Sequence, residues 1–270
     1  MARRALSTKK VGHAGTLDPL ATGVLVLGVN SATRLLTFLV GDDKTYEATI
    51  RLGASTVTDD TEGDVIHRAT AEEIAGVADD AIDSVISTLT GEISQRPSAV
   101  SAIKVDGQRA YDRVRSGEDV ELPAREVTVS RFDVVERRRS EDFIDLDVVV
   151  DCSSGTYIRA LARDLGSALG VGGHLTALRR TRSGIFTVAD AVSPEDISSD
   201  RIIDSADVAA KLFPVWSLTE DEERDLRHGK KVSTTTPDSN RIAAVAGGSL
   251  VAIVAVRNGV SRIETGFPHV

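Results

Sequence analysis

The sequence predicts a mixed α/β (α+β) protein: a mainly antiparallel central sheet flanked by helices, with a small β domain at the C-terminal end. Three observations predict it. Residues 127–137 and 143–152 are consecutive strand-like runs that read as antiparallel neighbours. The segment TYIRALARDLGSALG that follows is amphipathic at the helical period. Residues 215–270 consist of short β-rich runs joined by two Gly-centred turns.

Taken in order, residues 12–23 read GHAGTLDPLATG, a loop dense in glycine and turn formers. VLVLGV (24–29) reads as a buried strand. Ser31 is a candidate N-cap for a helix carrying Ala32, Leu35, Leu36 and Leu39 on one face and closed by Gly41. TYEATIRLG alternates: Tyr46, Ala48, Ile50 and Leu52 face one way, Glu47, Thr49 and Arg51 the other. A polar loop over 54–63 precedes a short strand and a helix near 71–89. A loop containing Pro97 leads into a helix around 110–115. In the second of the paired strands, Ile144, Leu146, Val148, Val150 and Cys152 share a face. Ser153, Ser154, Gly155 and Thr156 turn the chain into the amphipathic helix. Its apolar stripe is Ile158, Leu161, Ala162, Leu165 and Leu169, which leaves Arg159 and Arg163 one turn apart on another face. Beyond Arg182, a linker-like SPEDISSD precedes a further helix, and Pro214 with Trp216 marks a boundary. The expected domains are 1–212 and 213–270.

Composition narrows the chemistry. One cysteine, Cys152, excludes an intrachain disulfide and a multi-thiolate metal site. Five histidines stand singly with no His-x-x-x-His pair, so a structural zinc site is not expected. No apolar run approaches the ~20 residues of a membrane span, and a cytoplasmic, membrane-free protein is expected. The net charge of −9 argues against a nucleic-acid partner until its distribution is examined. Twelve acids and three bases lie between Asp42 and Asp83, and the rest of the chain is balanced. Acid-free basic patches remain at Arg3, Arg4, Lys9 and Lys10 and at Arg179, Arg180 and Arg182. An acidic lobe with separate basic patches suits a protein that grips phosphate on one face.

Asp18 is the most informative residue. Pro19 pushes it toward extended backbone, and flanking glycines let a ligand approach closely. It can project a carboxylate into a cleft, or it can close an Asx-type turn. No P-loop, dinucleotide fingerprint or ordered Ser-His-Asp set competes with it. A glycosidase would need a second positioned carboxylate, which the surrounding motifs do not supply. DDTEGD (59–64) lacks EF-hand spacing and reads as a solvated acidic loop.

The motifs GHAGTLDPLATGVLVLGVNSATR, KTYEA, QRPSAVSAIKVDGQRAY, CSSGTYIRALARDLG and LRRTRSG, in this order, resemble the tRNA pseudouridine synthase B (TruB-type) family. The resemblance implies the pseudouridine synthase fold, with the active cleft crossing the centre of the sheet. Its looser extension, carried by position and β texture, implies a PUA-like RNA-binding domain at the end of the chain. It implies isomerisation of uridine-55 in the TΨC loop of tRNA, with a tRNA stem-loop as partner, no obligatory protein partner and a monomeric state. By the same resemblance Asp18 matches the catalytic aspartate. Tyr46 matches a tyrosine that stacks on the target base and is a candidate for proton removal, and Arg159 an arginine that pairs with the carboxylate. His13, Tyr157, Lys104, Arg179 and Arg180 are the expected substrate-binding residues. The product is an isomer of the substrate, so no cofactor and no metal are expected.

Without the family, Tyr46 would be a core tyrosine and Cys152 a small buried residue. Family members also carry a strand with a DKPxGxTS-like segment ahead of the basic helix that leads into GHxG. This sequence opens MARRALSTKKVGHAG, inside that helix. A chain missing that strand, and the lysine and proline that line the site, is expected to be poorly soluble or weakly active. The alternative function is a tRNA-binding or folding factor of the same fold with impaired catalysis.

Overall fold

The structure, a computed structural model, describes residues 1–98 and 123–268 together with the backbone of 104–105 and 108–109. The expected helix around 110–115 lies outside the described residues. Two compact units are described separately: Leu17–Val24 with Gly41–Ala189, and Met1–Thr16 with Leu25–Val40 and Asp190–Val270.

The first unit is built on the alternation of TYEATIRL. Its strand Lys44–Leu52 sits inside a mixed sheet of seven strands among the described residues. Ile144–Cys152 flanks it on one side, followed outward by Arg125–Arg139 and Gly91–Gln95. Gly173–Ser183 flanks it on the other, followed by Phe186–Thr187. All these pairings are antiparallel; Thr22–Gly23 alone joins in parallel, beside Arg179 and Arg180. The sheet is mixed and mainly antiparallel, as the sequence predicts. Tyr46, Ala48, Ile50 and Leu52 are buried on one face, as are Ile144, Leu146, Val148, Val150 and Cys152. The helix Ile158–Ala168 contributes Ile158, Leu161, Ala162 and Leu165 to the same core. Each such aliphatic side chain contributes about 1.5–3 kcal/mol of burial.

Three expectations are corrected here. The helix near 71–89 is two helices, Ala71–Gly76 and Asp79–Thr88, because Val77 leaves the helical region at ψ 108°. The first is closed by a capping box between Thr70 and Glu73. Gly91–Gln95 is an edge strand where the sequence suggested a loop. The acidic loop is not wholly solvated: it joins the strands Ala54–Thr56 and Val65–Arg68, and Asp59 and Asp60 in it are buried.

In the second unit, Val11–Ala14 pairs antiparallel with Val26–Val29. The latter is half-buried along most of its length and is not the buried strand expected over 24–29. The following helix is 3-10, spans Asn30–Phe38 and is preceded by Val29; Ser31 does not cap it. Leu35, Leu36 and Leu39 are nevertheless buried. The C-terminal sheet orders Val215–Ser217, Ser239–Ala246, Ser249–Arg257 and Val260–Gly266 around a core of Trp216, Leu226, Ile242, Val254 and Val256. Its two tight turns place Gly247 and Gly248, then Asn258 and Gly259, at positive φ, the geometry a two-residue hairpin turn needs. Among the described residues no helix is long and apolar enough to cross a membrane.

Candidate active site

Asp18 sits in a turn closed by its own backbone: the Ala21 amide donates to the Asp18 carbonyl at 2.9 Å. Pro19, with its fixed φ, suits the second position of that turn. The Asp18 carboxylate is therefore not consumed by an Asx turn. It accepts two hydrogen bonds from Arg159, Nε to Oδ2 at 2.8 Å and Nη2 to Oδ1 at 2.9 Å. The Asp18 side chain is 31% exposed while that of Arg159 is 5% exposed, so the pair presents the acid and hides the base.

Arg159 lies in the first turn of its helix, where the helix dipole disfavours a cation. Carboxylates and a carbonyl offset this. Besides Asp18, its Nη1 donates to the Thr58 carbonyl at 2.9 Å and lies 3.4 Å from Asp60 Oδ2. Asp60 is itself fixed, its Oδ1 accepting from the Thr58 hydroxyl and from the Glu62 amide at 3.0 Å. One turn on, Arg163 lies 3.4 Å from Asp59 and donates to the Arg96 carbonyl at 2.7 Å. Burial pushes the Asp59 carboxyl up from its ordinary value, against the opposing pull of Arg163 and Arg159. The two arginines that the helical spacing sets one turn apart thus both meet the acidic loop.

Tyr46 is buried in the central strand, opposite Val150 on one side and Arg180 on the other. Burial raises its pKa above the ordinary 10.0; a hydrogen bond and the charge from Arg180 oppose that rise. Arg180 is 1% exposed, and its Nε donates to the Val24 carbonyl at 2.8 Å.

The expected surface patch at 179–182 is split. A β-bulge places Arg180 opposite Tyr46 and Arg182 opposite Thr45, so the two arginines point to opposite faces of the sheet. Arg182 donates to the Thr45 hydroxyl at 2.9 Å and lies 3.7 Å from Asp151. Arg179 is exposed, with Nη1 3.3 Å from the Thr22 hydroxyl.

Tyr157 precedes the Ile158–Ala168 helix and is half-buried. The Gln95 side chain clamps its backbone, accepting from the amide at 2.8 Å and donating to the carbonyl at 3.1 Å. The Arg125 guanidinium lies 5.8 Å from its ring centre. His13 belongs to the other unit, exposed on the Val11–Ala14 strand. Lys104 falls in a short strand paired with Gln108–Arg109; its side chain lies outside the described residues. Asp60 and Gln95 are absent from the sequence-based set. Gln95 lay inside a recognised motif without a feature to single it out, and Asp60 was hidden among neighbouring acids.

Comparisons with known proteins show the family. The N-terminal domain of TruB family pseudouridylate synthases matches residues 3–158, and the tRNA pseudouridylate synthase B C-terminal domain matches 159–215. The chain is 54% identical to tRNA pseudouridine synthase B of Leifsonia xyli over 98% of its own length and 90% of that protein's. It is 56% identical to the protein of the same name from Corynebacterium efficiens, over 98% and 88% of the two chains. A chain in the crystal structure of a Cbf5-Nop10-Gar1 complex shares the fold at a TM-score of 0.68 and 25% identity, over 98% of this chain and 79% of that one. The chain belongs to the TruB family of pseudouridylate synthases.

Proposed function

We propose that this enzyme isomerises uridine-55 in the TΨC loop of tRNA to pseudouridine, without a cofactor. The observation that carries the reading is a carboxylate that is both presented and held: Asp18 one-third exposed, gripped bidentately by a buried arginine. A guanidinium paired through two hydrogen bonds fixes the direction of the carboxylate.

In the reaction the bond from ribose C1′ to uracil N1 breaks, the base turns, and C5 bonds to C1′. The C5 proton leaves and N1 gains one, so atoms balance without an oxidant or an energy source. The Asp18 carboxylate attacks C1′ or stabilises its developing positive charge. Tyr46 stacks on the freed base and stands as the acceptor for the C5 proton. Tyr157, His13, Lys104 and Arg179 are the remaining residues assigned to substrate binding; Arg180, expected among them, is buried. The uridine must first leave its stack, at an expense of a few kcal/mol.

The test is release of tritium from tRNA labelled at uracil C5, with the modified position mapped by primer extension after carbodiimide treatment. Release from wild-type transcript, absent when uridine-55 is replaced by cytidine, supports the reading. Lack of release, or modification elsewhere, overturns it.

A further inference from the structure

We infer that Arg180 is a positioning residue, whose buried guanidinium holds the Tyr46 hydroxyl and ties it to the chain segment that carries Asp18. This rests on the role proposed above for Tyr46.

The geometry joins three segments. Arg180 lies directly opposite Tyr46 in the sheet, so the two buried side chains share one face, and Arg180 draws the phenol pKa down against burial. Its Nε donates to the Val24 carbonyl at 2.8 Å, while its own carbonyl accepts from the Val24 amide at 2.8 Å. Just before Val24, Gly23 takes φ +96°, and a Cβ there would lie 2.1 Å from the Arg180 carbonyl oxygen. Only glycine allows the two backbones to come so close. The segment that starts at Asp18 is thereby fastened, within six residues, to the partner of Tyr46.

A guanidinium that is 1% exposed is not placed to meet an RNA phosphate. Arginine stays ionised when buried and presents N–H groups in a rigid plane, so it can hold a carbonyl and a phenol at a fixed angle. Its charge also opposes the burial that raises the Tyr46 pKa. The other groups facing Tyr46 are Cys152 on the neighbouring strand and Asp18 on the loop, both of which push the phenol upward. Lys44, next on the same face of the strand, is buried against Arg180 and Cys152.

The experiment compares full-length wild type with Arg180→Met and Arg180→Lys. Tyr46 ionisation is read by alkaline pH-jump absorbance as the difference from the matching Tyr46→Phe protein, ahead of unfolding. Arg180→Met should raise the Tyr46 midpoint by about one unit or more, and lower kcat by roughly 10²-fold with KM for tRNA unchanged. Arg180→Lys, which keeps the charge, should leave the midpoint near wild type yet still lose kcat; it carries the test if the methionine variant does not fold. An unchanged midpoint with kcat intact would reduce Arg180 to a structural residue. A raised KM with a shallower salt dependence would make it a phosphate ligand. A wild type that releases no tritium would fail the proposed activity itself, while the titration would still report the Arg180–Tyr46 contact.

Discussion

Arg159 and Asp18 meet through two N–H···O bonds of 2.8 and 2.9 Å, with the guanidinium buried and the carboxylate open to solvent on its far side. The third edge of the guanidinium is closed by the Thr58 carbonyl and Asp60. Arg159 therefore has two carboxylates for one charge, and the one with access to solvent is the one free to act on a substrate. This arrangement keeps the acid aimed without enclosing it.

Asp18→Asn retains shape and most packing but removes the carboxylate proposed to act at C1′. Tritium release should vanish while tRNA affinity stays within several fold, as measured by filter binding. Retention of a tenth of wild-type turnover would remove Asp18 from the role proposed for it.

Arg159 should matter more for stability than Asp18 does. In Arg159→Met, Asp60 remains 2% exposed with its nearest cation gone, and breaking a buried pair from one side costs about 3–5 kcal/mol. Urea midpoints should fall markedly for Arg159→Met, fall little for Asp18→Asn, and partly recover in the Arg159→Met, Asp60→Asn double variant. If the arginine variant melts like wild type, the network adds no stability.

The sheet was legible from the sequence because period-two alternation in 45–53 and 143–152 is a direct record of one buried face. The helix bearing Arg159 was legible for the same reason at its own period. Other features depend on contacts distant in sequence. The two-fold split of 71–89 turns on one residue, Val77, leaving helical space, and no proline or glycine following Gly76 announces it. The burial of Asp59 and Asp60 requires Arg159 and Arg163, about a hundred residues away. The opposite fates of Arg180 and Arg182 follow from a bulge in the strand, which hydropathy does not encode. Of the site itself, Asp18 was singled out by Pro19 and the flanking glycines, while its catalytic role came from the family resemblance, as did the roles of Tyr46 and Arg159; on spacing alone Tyr46 was a core residue.

Cys152 offers a pH test of the core. Burial pushes its thiol from the ordinary 9.0 up to about 11, while Thr156 and Lys44 pull the other way. A raised folded-state pKa means that the unfolded chain releases the proton first as pH rises, so stability is complete below about pH 9 and declines toward pH 11. Urea midpoints should fall over that window and fall less in Cys152→Ala. Tyr46, also raised, should leave some slope above pH 10 in both proteins. At pH 8 the native thiol should resist thiol-specific labelling until the protein unfolds. Fast native-state labelling would contradict the burial.

The split of the basic patch gives a prediction about RNA binding. Each phosphate contact that releases a counterion adds roughly 0.7–0.9 to the slope of log affinity against log salt. Arg179 is exposed and has a hydroxyl partner, whereas Arg182 is engaged by Thr45 and Asp151 and Arg180 is buried. Arg179→Gln should therefore weaken tRNA binding and flatten the salt slope by about one contact. Arg182→Gln should leave the slope unchanged, because its guanidinium is already neutralised within the sheet. Arg3, Arg4, Lys9 and Lys10 are all exposed, and replacing any one of them with glutamine should act as Arg179→Gln does. The measurement is tRNA affinity across a salt series for each variant. Equal slopes for wild type and Arg179→Gln, or a reduced slope for Arg182→Gln, would mean that sheet register does not decide which arginines reach the RNA.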